Sequence, residues 1–92
     1  MIENKDIHNQ FEGPFLNRNI KGHILKYVNN ISLDKAMQTA LSKNECSAFV
    51  VTDDNKTFFK TIDYENAINQ VHTNDITQGH ISYIKKPSQC GI

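Results

Sequence analysis

Apolar side chains recur every three or four residues in one central stretch of the chain, and this spacing predicts an amphipathic helix over residues 33–43. Ser32 stands where an N-cap residue is needed, and Asp34 lies in the first turn, where the helix dipole favours negative charge. Asn44 suits the left-handed residue that ends many helices. The apolar stripe, which should face a core, consists of Leu33, Ala36, Met37, Ala40 and Leu41.

Four other stretches have the pattern of β-strands. A loose alternation predicts a strand over residues 23–28, and a clean alternation predicts another over 81–85. The nearly continuous apolar run at 47–52 is typical of a central strand buried on both faces. Residues 53–56 suit a turn, so a strand at 57–62 should pair with it as a hairpin.

The remaining segments are less regular. Residues 63–72 have helical spacing but equally suit a loop with one packed turn, and residues 72–79 are predicted to be loop. Residues 1–13 are polar and lack a period, which predicts a flexible N-terminal arm. Two phenylalanines flank a Gly-Pro turn at 13–14 and could dock the arm on the body, although a disordered leader fits the pattern equally well.

Together these elements predict an α+β fold, in which a small antiparallel β-sheet cradles one α-helix. We expect a single domain over residues 14–88, followed by a short tail at 89–92. No internal repeat or low-complexity segment suggests a second domain in the 92 residues.

Composition and charge exclude several classes of protein. Ten lysines and arginines balance ten aspartates and glutamates, which argues against a nucleic-acid binder that relies on bulk basic charge. No apolar run approaches the roughly 18 residues of a membrane span, so membrane insertion is not expected. The first ten residues lack the apolar core of a secretory signal, so no signal peptide is expected.

Catalytic and metal-binding motifs are not apparent in the sequence. Cys46 lies between the helix and the central strand, where a packed thiol is expected, and it could bridge to Cys90 only if the tail folds back. His72, Asp75 and His80 share one loop region, but their spacing fits no standard metal site. We therefore expect no enzyme activity, cofactor or metal, and a thiol or histidine centre ranks last among the hypotheses.

Residues 32–60, with a helix, then Cys46, and then a strand that begins Ala48-Phe49-Val50, resemble the PAN/apple module, and the likeness extends over roughly residues 20–87. The run from Ser32 through Cys46 to Val50 has the helix-to-strand spacing of that family, with a small residue and Phe49 opening the strand. Residues 58–60 and 81–85 look like two of the family's later strands. Alanines at 36 and 40 stand where the helical cysteines would be, and the fourth cysteine position is also lost. This loss implies folding in a reducing, cytoplasmic compartment.

The resemblance implies a non-catalytic binding domain rather than an enzyme. A protein partner is the first expectation, and the domain would be a component of a larger assembly or a homo-oligomer. Cysteine-poor versions without a signal look like virion or surface components of large DNA viruses. Aromatic side chains make efficient interface anchors, and the candidates for protein contact are Tyr27, Phe58, Tyr64 and Tyr83.

A carbohydrate-binding module of the same fold is the alternative. It would combine an aromatic platform with polar side chains of the region after the hairpin. Its expected binding residues are Tyr64, Asn66, Asn69, His72 and Asp75.

Overall fold

The computed structural model describes residues 7–87, which form five strands and two helices. In chain order these are β1 (Phe11–Leu16), β2 (His23–Asn29), α1 (Leu33–Ser42), β3 (Ala48–Val51), β4 (Lys56–Thr61), α2 (Tyr64–Thr73) and β5 (Ile81–Lys85). The architecture confirms the predicted α+β fold, with a second helix in addition to the predicted one. Residues 1–6 of the predicted arm, the tail at 89–92 and Cys90 lie outside the described residues.

The five strands form one antiparallel sheet in the order β1-β5-β3-β4-β2. The centre of the sheet is β3, where Ala48, Phe49 and Val50 are fully buried, so the prediction of a central strand is confirmed. The predicted hairpin is also present, because β3 pairs with β4 across a tight turn. In that turn Asn55 takes a left-handed conformation with φ of 62°.

Each face of the sheet carries one helix and its own apolar cluster. Successive residues of β3 point to opposite faces, so Phe49 packs on the side of α1 while Ala48 and Val50 pack on the side of α2. We call the two clusters the α1-side core and the α2-side core. The buried members of the first are Ile7, Phe11, Ala36, Met37, Ala40, Cys46, Phe49, Phe59 and Tyr83. Those of the second are Ile20, Ala48, Val50, Ala67, Val71 and Ile84.

Helix α1 forms as its pattern predicts, with two differences at its carboxyl end. The hydroxyl of Ser32 accepts a hydrogen bond of 3.1 Å from the Lys35 amide, which confirms the N-cap. Leu41 is 36% exposed and does not belong to the buried stripe. The helix ends at Lys43 in an extended conformation, and its amide donates to the Ala40 carbonyl at 3.3 Å. Asn44 is therefore not the left-handed residue that the sequence predicts.

The first strand is a correction to the predicted N-terminal arm, because β1 begins at Phe11 and pairs with β5. The Gly-Pro pair forms a bulge within this edge strand instead of a turn, and the register shifts between Glu12 and Phe15. Gly13 has φ of 123°, and a Cβ placed there would lie 2.8 Å from the Ser82 carbonyl oxygen. Only glycine fits this close approach to β5.

The region that the sequence left open between a helix and a loop is α2. Its N-cap is Asp63, whose carboxylate accepts a hydrogen bond of 3.2 Å from the Asn66 amide. The helix continues to Thr73, so His72 belongs to its last turn and not to the predicted loop.

Because β1 and β2 are the two edges of the sheet, the segment at 17–22 has to cross it. Four inter-strand spacings amount to about 19 Å, which six extended residues can just span. We call this segment the crossover. Its Ile20 side chain is fully buried in the α2-side core, and the buried Lys60 ammonium donates to the Ile20 carbonyl. The Ser82 hydroxyl donates to the Arg18 carbonyl at 2.6 Å, so the crossover is fixed to the sheet at two points.

Candidate functional site

The sheet face that carries α2 is covered only in part. Helix α2 and the crossover pack over β5 and β3, whereas the outer part of the face over β2 and β4 stays open. Two large apolar side chains are exposed there, Tyr27 at 56% and Ile24 at 48%. Phe58 is opposite Tyr27 in the register and is partly buried.

These three side chains, together with Lys56, define what we call the β2 patch. The rings of Tyr27 and Phe58 lie 5.5 Å apart between centroids and are tilted by 40°. The Lys56 ammonium lies 5.3 Å from the centroid of the Tyr27 ring, within the range of a cation–π contact. The patch therefore presents an aromatic pair with a positive charge beside it.

The strand under the patch is an open edge of the sheet. β2 pairs with β4 on one side only, so its other side presents main-chain N–H and C=O groups. A bulge between Ile24 and Lys26 interrupts the first part of the strand, whereas the register from Lys26 to Asn29 is regular. Strands β2 and β4 contain no aspartate or glutamate, and two of their three lysines, Lys26 and Lys56, reach the surface, whereas Lys60 is buried. The edge is therefore locally basic although the chain has no net charge.

Among the five predicted binding residues, the structure brings together only Tyr27 and Phe58. Tyr64 is the first residue of α2, and its hydroxyl donates to the Glu12 carboxylate on β1. This hydrogen bond to the carboxylate raises the pKa of Tyr64. The contact fixes the start of α2 to the edge strand, so Tyr64 has a structural role here.

The other two predicted residues lie at separate places. The His72 ring packs edge-on against Phe15, with centroids 5.9 Å apart, on the exposed side of α2. Tyr83 is only 9% exposed and stacks on Phe49 in the α1-side core at 5.1 Å. Burial raises the pKa of Tyr83. Tyr83 also lines an apolar cavity of about 170 Å³ beneath the start of α1, between Leu33 and Ile81.

A polar cavity of about 320 Å³ lies at the carboxyl end of α2, beside the crossover. One residue of the sequence-based carbohydrate hypothesis, Asp75, lines it, whereas Asn66, Asn69, His72 and Tyr64 do not. Six residues from two distant parts of the chain form its wall. They are Asn19, Lys21, Thr73, Asn74, Asp75 and Thr77.

The residues considered for catalysis or metal binding do not form a common site. Cys46 is 1% exposed in the α1-side core, and its thiol donates to the Ala48 carbonyl at 3.4 Å. His72, Asp75 and His80 are not brought together, and residues 7–87 contain no group of three metal-ligating side chains. Buried Nδ1 of His80 has no hydrogen-bond partner among the described groups.

Sequence reasoning missed Ile24 and most of the polar cavity. Ile24 and Tyr27, three positions apart, lie on the same face only because of the bulge between Ile24 and Lys26, and alternation alone does not locate a bulge. The two segments of the cavity wall are about fifty positions apart, and nothing in either segment indicates that they meet.

Comparison with known proteins adds no relative: no protein-family model, curated protein or solved structure matches this chain. The resemblance to PAN/apple modules therefore stays a prediction. Within the part of the chain that the structure describes, no helix is long and apolar enough to cross a membrane.

Proposed function

We propose that this chain is a non-catalytic protein-binding module whose contact surface is the β2 patch with the adjoining edge of β2. The observation that carries the proposal is the exposure of Tyr27 and Ile24 on a sheet face that is otherwise covered. Large apolar side chains that cluster on an exposed surface typically mark an interaction site.

The edge strand favours an extended segment as the bound part of the partner. Such a segment adds a strand to a sheet by main-chain hydrogen bonds, and its alternate side chains supply specificity. Along β2 the regular register from Lys26 to Asn29 offers this pairing. An apolar side chain of the segment would then contact the rings of Tyr27 and Phe58.

The charges of the surface favour acidic residues in the same segment. Lys26 is exposed on the edge strand, and Lys56 lies beside the Tyr27 ring. Neither β2 nor β4 contains an acidic residue, and Asp54, in the turn before β4, interacts with the charge of Lys56 but does not lie on the edge strand. A partner segment that alternates apolar and acidic residues is therefore complementary to the surface. Pairing of this kind suits a component of a larger assembly.

Selection from a displayed peptide library tests the proposal with the full chain as bait. We expect selected peptides to alternate apolar and acidic residues and to shift backbone amide signals of β2 in NMR spectra. Replacing a central aromatic anchor typically costs about 2 kcal/mol or more, so Tyr27→Ser should weaken binding by roughly thirtyfold. Lys26→Glu should weaken it as well, because it repels the acidic residues.

Leu41→Ser is the matched control, since Leu41 is a partly exposed apolar residue on α1, on the other face of the sheet. It should leave peptide affinity unchanged. Peptides that bind Tyr27→Ser as tightly as the original chain, or that shift signals of α1 in place of β2, would rule out the proposed surface.

A further inference from the structure

The polar cavity at the carboxyl end of α2 has the features of a small-molecule site separate from the β2 patch. Its volume of about 320 Å³ is at the lower end of the about 300–1,000 Å³ that such sites enclose. A ligand of this size corresponds to one ring with its substituents. The hydrogen-bonding groups of the wall determine which ligand of this size it can bind.

The wall is held in place by hydrogen bonds that centre on Gln70. Its Oε1 accepts from the Lys21 amide at 2.8 Å and from the Asn74 side chain at 3.0 Å. Its Nε2 donates to the Lys21 carbonyl at 3.0 Å. The Arg18 guanidinium also donates to the main-chain carbonyl of Asn74 at 2.5 Å. The crossover and the end of α2 are thus joined before any ligand arrives, which lowers the entropic cost of binding.

The side chains that face the cavity are richer in acceptors than in donors. The Thr73 hydroxyl donates to the Asn69 carbonyl at 2.7 Å, which leaves its oxygen to accept. The Asn74 side chain uses one N–H on Gln70, which leaves its carbonyl oxygen to accept and its second N–H to donate. Asp75 accepts only, and its side chain makes no hydrogen bond with any described group.

Donors are fewer but present. Lys21 supplies an ammonium group, while Asn19 and Thr77 can both donate and accept. Their side chains likewise make no hydrogen bond with the described residues. A ligand for this wall needs several O–H donors and some acceptors close together, as in the adjacent hydroxyls of a sugar ring.

The same features disfavour anions. Phosphate and sulfate accept hydrogen bonds and would face the Asp75 carboxylate. The carboxyl end of α2 also carries partial negative charge, because its last carbonyls lack partners within the helix. The single lysine in the wall is matched by the single aspartate, so a neutral ligand fits best.

We propose that this cavity binds one hexose-sized unit of a neutral carbohydrate. The site does not depend on the β2 patch. It differs from the aromatic platform expected from the sequence, because Tyr64 lies at the opposite end of α2 and no aromatic side chain lines the cavity. Recognition here rests on hydrogen bonds alone, so affinity for a single sugar should be low.

Titration of the full chain, followed by ¹H–¹⁵N NMR spectra, tests the proposal. The probes are glucose, galactose, mannose and N-acetylglucosamine, with inorganic phosphate and spermidine as the anionic and cationic comparisons. We expect at least one sugar to shift the amide signals at 19–21 and 73–77 in a saturable way. Neither phosphate nor spermidine should do so.

Asp75→Ala should raise the dissociation constant for that sugar about tenfold or more, since it removes a charged hydrogen-bond acceptor. Glu65→Ala is the matched control, because this exposed carboxylate lies in the first turn of α2, away from the cavity, and its loss should change nothing. The same spectra show whether each variant is folded. The proposal is overturned if no sugar shifts these signals, if Asp75→Ala binds as well as the original chain, or if phosphate or spermidine binds there instead.

Discussion

Cys46 shows how position in the core determines the chemistry of a single side chain. The residue is 1% exposed, between α1 and β3, and packs with Phe49 and Met37 in the α1-side core. Burial raises the pKa of its thiol above 9.0, although the charge of Lys85 acts in the opposite direction. A nucleophilic thiol needs the reverse shift, so this environment favours a packed, protonated side chain.

We predict that Cys46 loses its stabilising effect at alkaline pH. The thiol of the unfolded chain ionises near 9.0, while the folded thiol holds its proton to a higher pH. The folded state therefore gains stability from this group below pH 9.0 and loses it as the pH rises towards the folded pKa. The pH dependence of this stabilisation can be measured by urea unfolding of a Cys90→Ser chain and of the same chain with Cys46→Ala.

The difference in unfolding free energy between these two chains should be about 1–2 kcal/mol at neutral pH and should shrink above pH 9.0. Reaction with a thiol reagent provides the second readout. Cys46 should be labelled far more slowly in the folded chain than in denaturant. Rapid labelling of the folded chain, or a difference that grows with pH, would contradict a buried and protonated thiol.

At the scale of elements, regular patterns could be read from the sequence and interrupted ones could not. Helix α1 and strand β5 have uninterrupted periods, and the bounds of both were predicted to within one residue. β1 was missed because Gly13 and Pro14 normally mark a turn. Here they form a bulge, which depends on the close approach of β5 and hence on tertiary structure.

In the candidate sites, too, local features could be predicted from the sequence and long-range contacts could not. Tyr27 and Phe58 were candidates because an aromatic residue on a predicted strand is a local feature of the sequence, and the register then shows that they are neighbours. The polar cavity requires that the crossover meets the end of α2, which is a long-range contact made through Gln70. No local pattern encodes that contact.

The role of Gln70 in joining these elements gives a prediction. Gln70→Ala removes two hydrogen bonds to the main chain of Lys21 and one each to the side chains of Asn74 and Asn66. The free energy of unfolding should fall by about 1–2 kcal/mol, since each net hydrogen bond contributes about 1 kcal/mol and alanine favours the helix slightly. Thermal or urea unfolding measures this.

Asn69→Ala is the matched control, because Asn69, the residue before Gln70 in α2, has an exposed side chain. The variant keeps the main-chain carbonyl of residue 69, which accepts from the Thr73 hydroxyl. This variant should change stability by no more than about 0.5 kcal/mol. Equal effects of the two substitutions would mean that the crossover is held without Gln70.

At the scale of the whole molecule, residues 7–16 are part of the fold. Ile7 and Phe11 are buried in the α1-side core, and the His8 ring lies 3.0 Å from the Asp34 carboxylate on α1. The sequence placed all of residues 1–13 in a flexible arm, because this polar segment has too few apolar positions to show a period. In the fold, two widely spaced apolar side chains are enough to fix residues 7–13 to the core.

We predict that Phe11→Ala destabilises the whole domain. The ring packs edge-on against Phe49 at 5.5 Å and is 5% exposed, so its removal leaves a cavity in the α1-side core and should cost about 3–5 kcal/mol. A domain of 92 residues typically has about 5–14 kcal/mol of stability in total.

Leu16→Ala is the control on the same strand, because Leu16 is 63% exposed and its loss should cost about 0.5 kcal/mol or less. Urea unfolding of both variants distinguishes a β1 strand that completes the core from a flexible arm. A large loss for Phe11→Ala alone is expected if β1 completes the core, whereas small and equal losses would show that the segment is a detachable arm.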